Sequence, residues 1–142
     1  MPKVLTPAQI ASFNEKGFLS PVRVLSPEQA AGYRARLEAF ETQQGSALKG
    51  GQRNKTYLLF TWAREIMMNE RLLDCIEDLL GPDLLVYHST TWIKESHASG
   101  FVSWHQDSTY FGLEPLEQVT AWVALSNATL EAGCMRVLPG SH

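Results

Sequence analysis

Cysteine is scarce in this sequence, which has Cys75 and Cys134 alone among 142 residues. Two cysteines cannot form the disulfide framework of a small secreted domain, and their spacing matches neither a CxxC pair nor a zinc motif. The sequence also lacks an apolar run of about 20 residues, the length that spans a membrane. Its first residues contain no apolar signal-peptide core. These absences predict a cytoplasmic protein without a membrane partner.

Positive charge is scarce in the second half of the chain. Residues 1–71 contain 10 Lys and Arg against 6 Asp and Glu, whereas residues 72–142 contain 2 against 9, and the net charge is −3. The basic residues of the first half are dispersed, so no nucleic-acid-binding surface is indicated. All four histidines lie in the acidic half.

Helix signals fill the first half. The segment Thr6–Gln9 offers a capping hydroxyl, a proline at the first helical position and a glutamine three residues after the cap, and Gly17 is a stop signal. The segment Ser26–Gln29 repeats this pattern, and the helix that it opens is predicted to end at Gly45. A third helix is predicted from Asn69 to Leu80.

A polar, glycine-rich loop is predicted between residues 45 and 56. It contains Lys49, Arg53 and Lys55. Two interpretations are open, a solvated surface loop and a mobile flap near a functional site, and we favour the surface loop.

Strand signals dominate after Pro82. Segments rich in β-branched and aromatic residues alternate with Gly, Pro, Ser and Asn. The predicted strands are Leu84–Ile93, Phe101–Trp104, Val119–Leu125 and the shorter Met135–Leu138. Helices first and strands later predict an α+β fold rather than a parallel sheet.

The densest group of reactive residues is Trp104-His105-Gln106-Asp107. On a strand, His105 and Asp107 would share one face and Gln106 would point to the other. An imidazole and a carboxylate on one face are two of the three ligands in the facial triad of non-haem Fe(II) oxygenases. The alternative is a hydrogen-bonded pair at a surface strand end, which the short motif alone favours.

Three sequence blocks, which occur in a fixed order, favour the metal-ligand interpretation over the hydrogen-bonded pair. They are FVSWHQDSTY over 101–110, TAWVAL over 120–125 and GCMRVLPGSH over 133–142. Together they resemble the phytanoyl-CoA dioxygenase family. The resemblance implies an Fe(II)- and 2-oxoglutarate-dependent oxygenase. It also implies helices packed on a double-stranded β-helix, a jelly-roll-like, cupin-type barrel that would be incomplete here. We therefore expect one domain over residues 1–142, mainly helical over 1–82 and mainly strands over 83–142.

The resemblance also implies roles for individual residues. His105 and Asp107 match two iron ligands, and Lys94, Gln106 and Trp122 are candidates for the surroundings of 2-oxoglutarate. The family's third ligand, a histidine, and its 2-oxoglutarate-binding arginine are expected to have no counterpart, because the chain ends before them. His142 belongs to the PGSH turn and is expected to be a turn residue rather than the match for that histidine. Weaker candidates are Tyr110 as a pocket residue, Arg136 as a surface strand residue, and His88 and His97 as structural residues.

The predicted function is hydroxylation of a small organic substrate with Fe(II), 2-oxoglutarate and O₂. The chain is expected to be truncated at its carboxyl end and to have little or no turnover on its own. The alternative is a non-catalytic remnant or binding module that forms homo-oligomers through unpaired strand edges.

Overall fold

In the computed structural model, which describes residues 1–142, the regular structure is helical. Five α-helices and two short 3₁₀ helices succeed one another along the chain, and none of them has the length and apolar character needed to cross a bilayer. The α-helices are α1 (Pro7–Lys16), α2 (Pro27–Gln44), α3 (Thr61–Met67), α4 (Glu70–Leu80) and α5 (Ser108–Phe111), and the 3₁₀ helices span Gly50–Arg53 and Thr56–Leu58.

The caps predicted for α1 and α2 are confirmed. In α1, the Gln9 N–H donates to the Thr6 hydroxyl at 3.2 Å, and the Thr6 N–H donates to the Gln9 side chain at 2.8 Å. The same reciprocal pair opens α2. Both helices end at a glycine with positive φ, Gly17 at 77° and Gly45 at 71°, where a side chain would strain the backbone.

The helix predicted from residue 69 is confirmed as α4, because the Asn69 side chain accepts from the Leu72 N–H at 2.9 Å. Helix α3 was not predicted, since it has no side-chain cap. Tertiary contacts stabilise it instead. The Arg36 guanidinium on α2 donates to both carboxylate oxygens of Glu65, at 2.7 and 3.0 Å.

The core of the molecule lies where α2, α3 and the segment 45–56 meet. Its buried members are Leu37, Leu48 and Trp62. Two phenylalanines extend it: the rings of Phe40 and Phe60 meet edge to face with centroids 4.8 Å apart, and Phe60 stacks on Trp62 at 5.8 Å. Leu37 and Phe40, which lie three residues apart on α2, therefore both pack in this core.

The surface-loop prediction for residues 45–56 describes the exposed Lys49 and Lys55, but two residues of the segment are buried. Leu48 is fully buried at 0% exposure, and Thr56 is 2% exposed. The Leu48 N–H donates to the Glu41 carboxylate at 2.8 Å, and Nε of Arg53 donates to the Leu48 carbonyl at 2.7 Å. One apolar side chain in a polar segment suffices to anchor the loop, because its backbone groups find partners on α2 and within the loop.

The α+β prediction with an incomplete double-stranded β-helix is wrong for this structure. None of the four predicted segments forms a strand, and β-pairing is limited to one antiparallel bridge between Asn54 and Thr90. A strand forms only when a neighbouring strand accepts and donates its backbone hydrogen bonds. Strand propensity in residues 84–138 is therefore not realised, and side chains such as Phe101 and Trp104 are 83% and 70% exposed.

Both chain ends are attached to helices. The N–H groups of Lys3, Val4 and Leu5 donate to the Asp78 carboxylate on α4 at 2.7, 2.8 and 2.8 Å. At the other end, the Gly140 N–H donates to the carbonyl of Lys16, in the last turn of α1, at 2.9 Å. Residues 3–5 and Gly140 thus contact the helical part of the molecule.

Candidate metal centre

His105 and Asp107 lie together at the beginning of α5. Asp107 has φ −58° and ψ −39°, which is helical backbone, so strand alternation does not bring the two side chains to one face. A turn does so instead, with Nε2 of His105 3.3 Å from Oδ1 of Asp107. The expected juxtaposition is present, but its structural basis differs from the predicted one.

The contact of the other imidazole nitrogen defines the tautomer of the neutral ring. Nδ1 of His105 lies 2.7 Å from the carbonyl oxygen of Ser103. Since a carbonyl only accepts, Nδ1 carries a proton, and in the neutral ring Nε2 presents a lone pair. Nε2 therefore faces the Asp107 oxygen either as an N–H group, in an ion pair with the carboxylate, or as a lone pair that can bind a metal ion.

The separation fits a metal ion. The observed 3.3 Å between Nε2 of His105 and Oδ1 of Asp107 is also within the range of an ion pair. Two ligands bound at about 2.0–2.2 Å and at right angles around one metal ion are about 3 Å apart. An Nδ1–H group that donates to a backbone carbonyl is also the usual arrangement behind a metal-binding Nε2. Both side chains therefore fit a divalent cation as adjacent ligands.

Two hydroxyl groups hold the Asp107 carboxylate. Tyr110 donates to Oδ1 at 2.7 Å, and Thr120 donates to Oδ2 at 2.9 Å. Burial favours the neutral acid, but these hydrogen bonds and the nearby His105 outweigh it and hold the pKa of Asp107 below its ordinary value. The hydrogen bond from Tyr110 to Asp107 raises the pKa of the Tyr110 hydroxyl. Asp107 is therefore an anion at neutral pH.

Aromatic rings adjoin the pair on one side. The ring centroid of Tyr110 lies 6.1 Å from that of His105 and 5.0 Å from that of Phe111. Phe111 in turn lies 5.0 Å from Tyr87, whose hydroxyl donates to the Phe111 carbonyl at 3.3 Å. These contacts connect residue 87 to α5, and they give the candidate metal centre an apolar neighbour.

Two groups that orient the His105–Asp107 pair were not predicted from the sequence, the Thr120 hydroxyl and the Ser103 carbonyl. Thr120 lies thirteen residues beyond Asp107, and no spacing rule connects the two. Tyr110, which sequence reasoning gave only as a weak pocket candidate, follows Asp107 by three residues. In a helical turn, residues three apart are neighbours, so that spacing was a usable signal for the contact.

The ligand set of a facial triad is not complete in this chain. No group of three His, Cys, Asp or Glu side chains lies close enough together to hold one metal ion. His105 and Asp107 therefore supply two donors of the three that the facial triad uses.

The predicted 2-oxoglutarate residues make contacts elsewhere. The Lys94 ammonium donates to the Gly133 carbonyl, and the Gln106 side-chain amide donates to the Ser141 carbonyl. Trp122 is 46% exposed. None of the three hydrogen bonds to His105 or Asp107, and their assignment to a co-substrate stays a prediction.

His142 lies against α1 and does not complete a group of three potential metal ligands with His105 and Asp107. A Cβ atom added to Gly17 would overlap the imidazole and would lie 2.7 Å from the Cβ of His142. Together with the Gly140–Lys16 hydrogen bond, this contact places the PGSH turn on the end of α1.

A cavity of about 420 Å³ lies between the 48–54 segment and residues 90–92. Its lining includes the cations Lys49 and Arg53 and no carboxylate, so its charge favours an anion. The two walls are joined by hydrogen bonds from the Thr91 N–H to the Arg53 carbonyl at 2.8 Å and between the Thr56 and Thr91 hydroxyls at 2.9 Å. His105 and Asp107 are not part of it. Its lining residues are Leu48, Lys49, Gly50, Arg53, Asn54, Thr90, Thr91 and Trp92.

Curated relatives match this chain over different lengths. A phytanoyl-CoA dioxygenase domain-containing protein 1 from Mus musculus is 44% identical over 59 residues, which are 41% of this chain and 20% of the mouse protein. A homologue from Dictyostelium discoideum is 45% identical over 49 residues, or 34% of this chain and 17% of that protein. An ectoine dioxygenase from Streptomyces avermitilis is 25% identical over 99% of this chain and 53% of its own length.

The chain thus spans about half the length of the ectoine dioxygenase and a smaller part of the others. No solved structure matches it. The family model for phytanoyl-CoA dioxygenase matches residues 13–142, which include the three blocks around WHQD, AWVAL and PGSH. The resemblance seen in the sequence is confirmed, and the chain belongs to the phytanoyl-CoA dioxygenase family.

Proposed function

We propose that this chain contributes the His105 and Asp107 ligands of a non-haem Fe(II) centre in a 2-oxoglutarate-dependent oxygenase that hydroxylates a small organic substrate. The observation that carries the proposal is the 3.3 Å approach of Nε2 of His105 to Oδ1 of Asp107, with Nδ1 committed to a carbonyl. Family membership supports the oxygenase class.

The residues of the chain have separate tasks in this proposal. His105 and Asp107 bind the metal, and the Ser103 carbonyl orients the imidazole. Iron, bound together with 2-oxoglutarate and O₂, supplies the oxidation of a C–H bond. The neighbouring rings of Tyr110 and Phe111 lie on one side of the centre.

A titration with Co(II) tests the metal site, because the visible absorption of this ion reports its ligands. We expect His105→Ala and Asp107→Ala each to weaken binding by at least about tenfold, since each removes one of two donors. His88→Ala is the control, because His88 is an exposed histidine outside the pair. Unchanged affinity in both ligand variants would show that the pair is an ordinary surface ion pair.

A turnover assay with Fe(II), 2-oxoglutarate and O₂ tests the oxygenase chemistry. The chain on its own is expected to form no more succinate than Asp107→Ala does, because two donors do not complete a facial triad. Succinate formation well above that of Asp107→Ala would contradict this expectation and would require a third ligand from a second chain or from His142.

A second candidate function is a non-catalytic binding module that self-associates. The observation that favours it is the exposure of large apolar side chains in the second half, among them Phe101, Trp104 and Leu116 at 83%, 70% and 64%. Sedimentation velocity across a concentration series distinguishes the two. Self-association together with Co(II) binding that is indifferent to His105→Ala would favour the module.

A further inference from the structure

We propose that the Thr120 hydroxyl is a positioning group for the metal-binding carboxylate of Asp107. The inference rests on the proposed function, since it concerns how the Asp107 ligand is held.

The two oxygens of Asp107 have different partners. Oδ1 is the oxygen that approaches Nε2 of His105, at 3.3 Å, and it also accepts from the Tyr110 hydroxyl at 2.7 Å. Oδ2 accepts from the Thr120 hydroxyl at 2.9 Å. A metal ion bound beside His105 would therefore use Oδ1, which leaves Oδ2 with Thr120.

The carboxylate needs a second point of attachment. The terminal torsion of an aspartate side chain is broad, so the carboxylate plane rotates easily unless its second oxygen is held. Tyr110 does not hold the second oxygen, because its hydroxyl donates to Oδ1, the oxygen that the metal would use. Thr120 bonds to the other oxygen, and the two bonds together define the orientation of the plane.

Thr120 also comes from a distant part of the chain. Thirteen residues separate it from Asp107, whereas Tyr110 lies in the same short helix as the residues that follow Asp107. The Thr120 bond therefore fixes the carboxylate relative to the TAWVAL segment as well as to α5. Hydrogen-bond partners of metal ligands commonly change metal affinity by about 10–100-fold when they are removed.

The test is the Co(II) affinity of four variants at one fixed pH. Thr120→Val removes the hydroxyl at nearly constant volume and is expected to weaken binding about tenfold. Thr120→Ser keeps the hydroxyl and is expected to bind like the wild type. Tyr110→Phe is expected to bind no more weakly than the wild type. Thr109→Val is the matched control, because the exposed Thr109 hydroxyl makes no hydrogen bond to Asp107.

The outcomes separate the inference from the proposed function. If His105→Ala and Asp107→Ala weaken binding but Thr120→Val does not, the positioning role is wrong and the metal site stands. Weak binding in both Thr120→Val and Thr120→Ser, or in Tyr110→Phe as much as in Thr120→Val, would also overturn it. Circular dichroism of each variant confirms that the helices are retained. The Co(II) spectrum then separates a changed ligand set from a changed amount of folded protein.

Discussion

At the residue scale, Asp78 shows how one carboxylate holds a chain end. Burial acts to raise its pKa, but hydrogen bonds from the N–H groups of Leu5, Lys3 and Val4, together with the charge of Lys3, outweigh it and hold the pKa below its ordinary value. The carboxylate therefore satisfies three donors that the first residues could not satisfy among themselves.

A pH dependence of stability follows from this contact. Because the folded-state pKa is depressed, Asp78 stabilises the folded protein above the unfolded-state value of about 3.9, and the contribution is lost as pH falls through the folded-state pKa. Asp78→Asn is expected to melt at a lower temperature than the wild type at pH 7. Thermal unfolding over a pH series measures the difference, which should shrink below about pH 3.9. A constant difference at all pH values would contradict the linkage.

His105 and Asp107 show what a local motif determines. Their identity and spacing predicted that an imidazole and a carboxylate would meet, and they do meet at 3.3 Å. The contacts that orient them, from Ser103 and Thr120, depend on the fold of the surrounding chain. Those contacts could not be predicted from spacing.

At the element scale, the ends of α1 and α2 form a matched pair. Gly17 and Gly45 both follow a helix with positive φ, so Ala at either position costs about 1–2 kcal/mol in backbone strain. Around Gly45 no atom lies within 4 Å of an added Cβ, whereas at Gly17 the Cβ would overlap His142. The PGSH turn can therefore lie against α1 only because residue 17 has no side chain.

Thermal unfolding of alanine variants tests this contact. Gly17→Ala is expected to lose more stability than Gly45→Ala, because it adds a steric overlap to the same strain. The double variant Gly17→Ala/His142→Gly should return to the loss seen in Gly45→Ala, because glycine at 142 also removes the Cβ that would lie 2.7 Å from the added one. Equal losses in the two single variants would show that the PGSH turn does not rest on α1.

The buried loop residue Leu48 gives a second test at this scale. Leu48→Ala is expected to destabilise the protein by about 2–5 kcal/mol, because it leaves a cavity among Leu37 and Trp62 in the core. Leu59→Ala is the control, since Leu59 is 59% exposed and its replacement should change stability by about 0.5 kcal/mol or less. Urea unfolding measures both. A loss at Leu48 no larger than that at Leu59 would show that the 45–56 segment is not anchored.

At the scale of the whole molecule, we expect protection against amide hydrogen exchange to differ between the two halves of the chain. Buried side chains and helical hydrogen bonds concentrate in α2, α3 and α4, whereas no N–H group of residues 112–128 donates to a backbone carbonyl. Amide exchange is slow where opening breaks hydrogen bonds and buried contacts. We expect peptides from α2 and α4 to exchange slowly and peptides from 112–128 to exchange fast in deuterium-exchange mass spectrometry. Slow exchange over 119–125 would instead indicate a paired strand.

The amino-acid sequence was sufficient to predict the helices that have their own start and stop signals, the family, and the proximity of His105 and Asp107. The helix caps and the His105–Asp107 pair form between residues a few positions apart, whereas the family is indicated by three sequence blocks in a fixed order. The formation of α3, the burial of Leu48 in a polar loop and the contact of Thr120 with Asp107 became apparent only in the folded structure. The tertiary structure also decided that the apolar segments after Pro82 do not form strands, because a strand requires hydrogen-bonding partners that local sequence cannot supply.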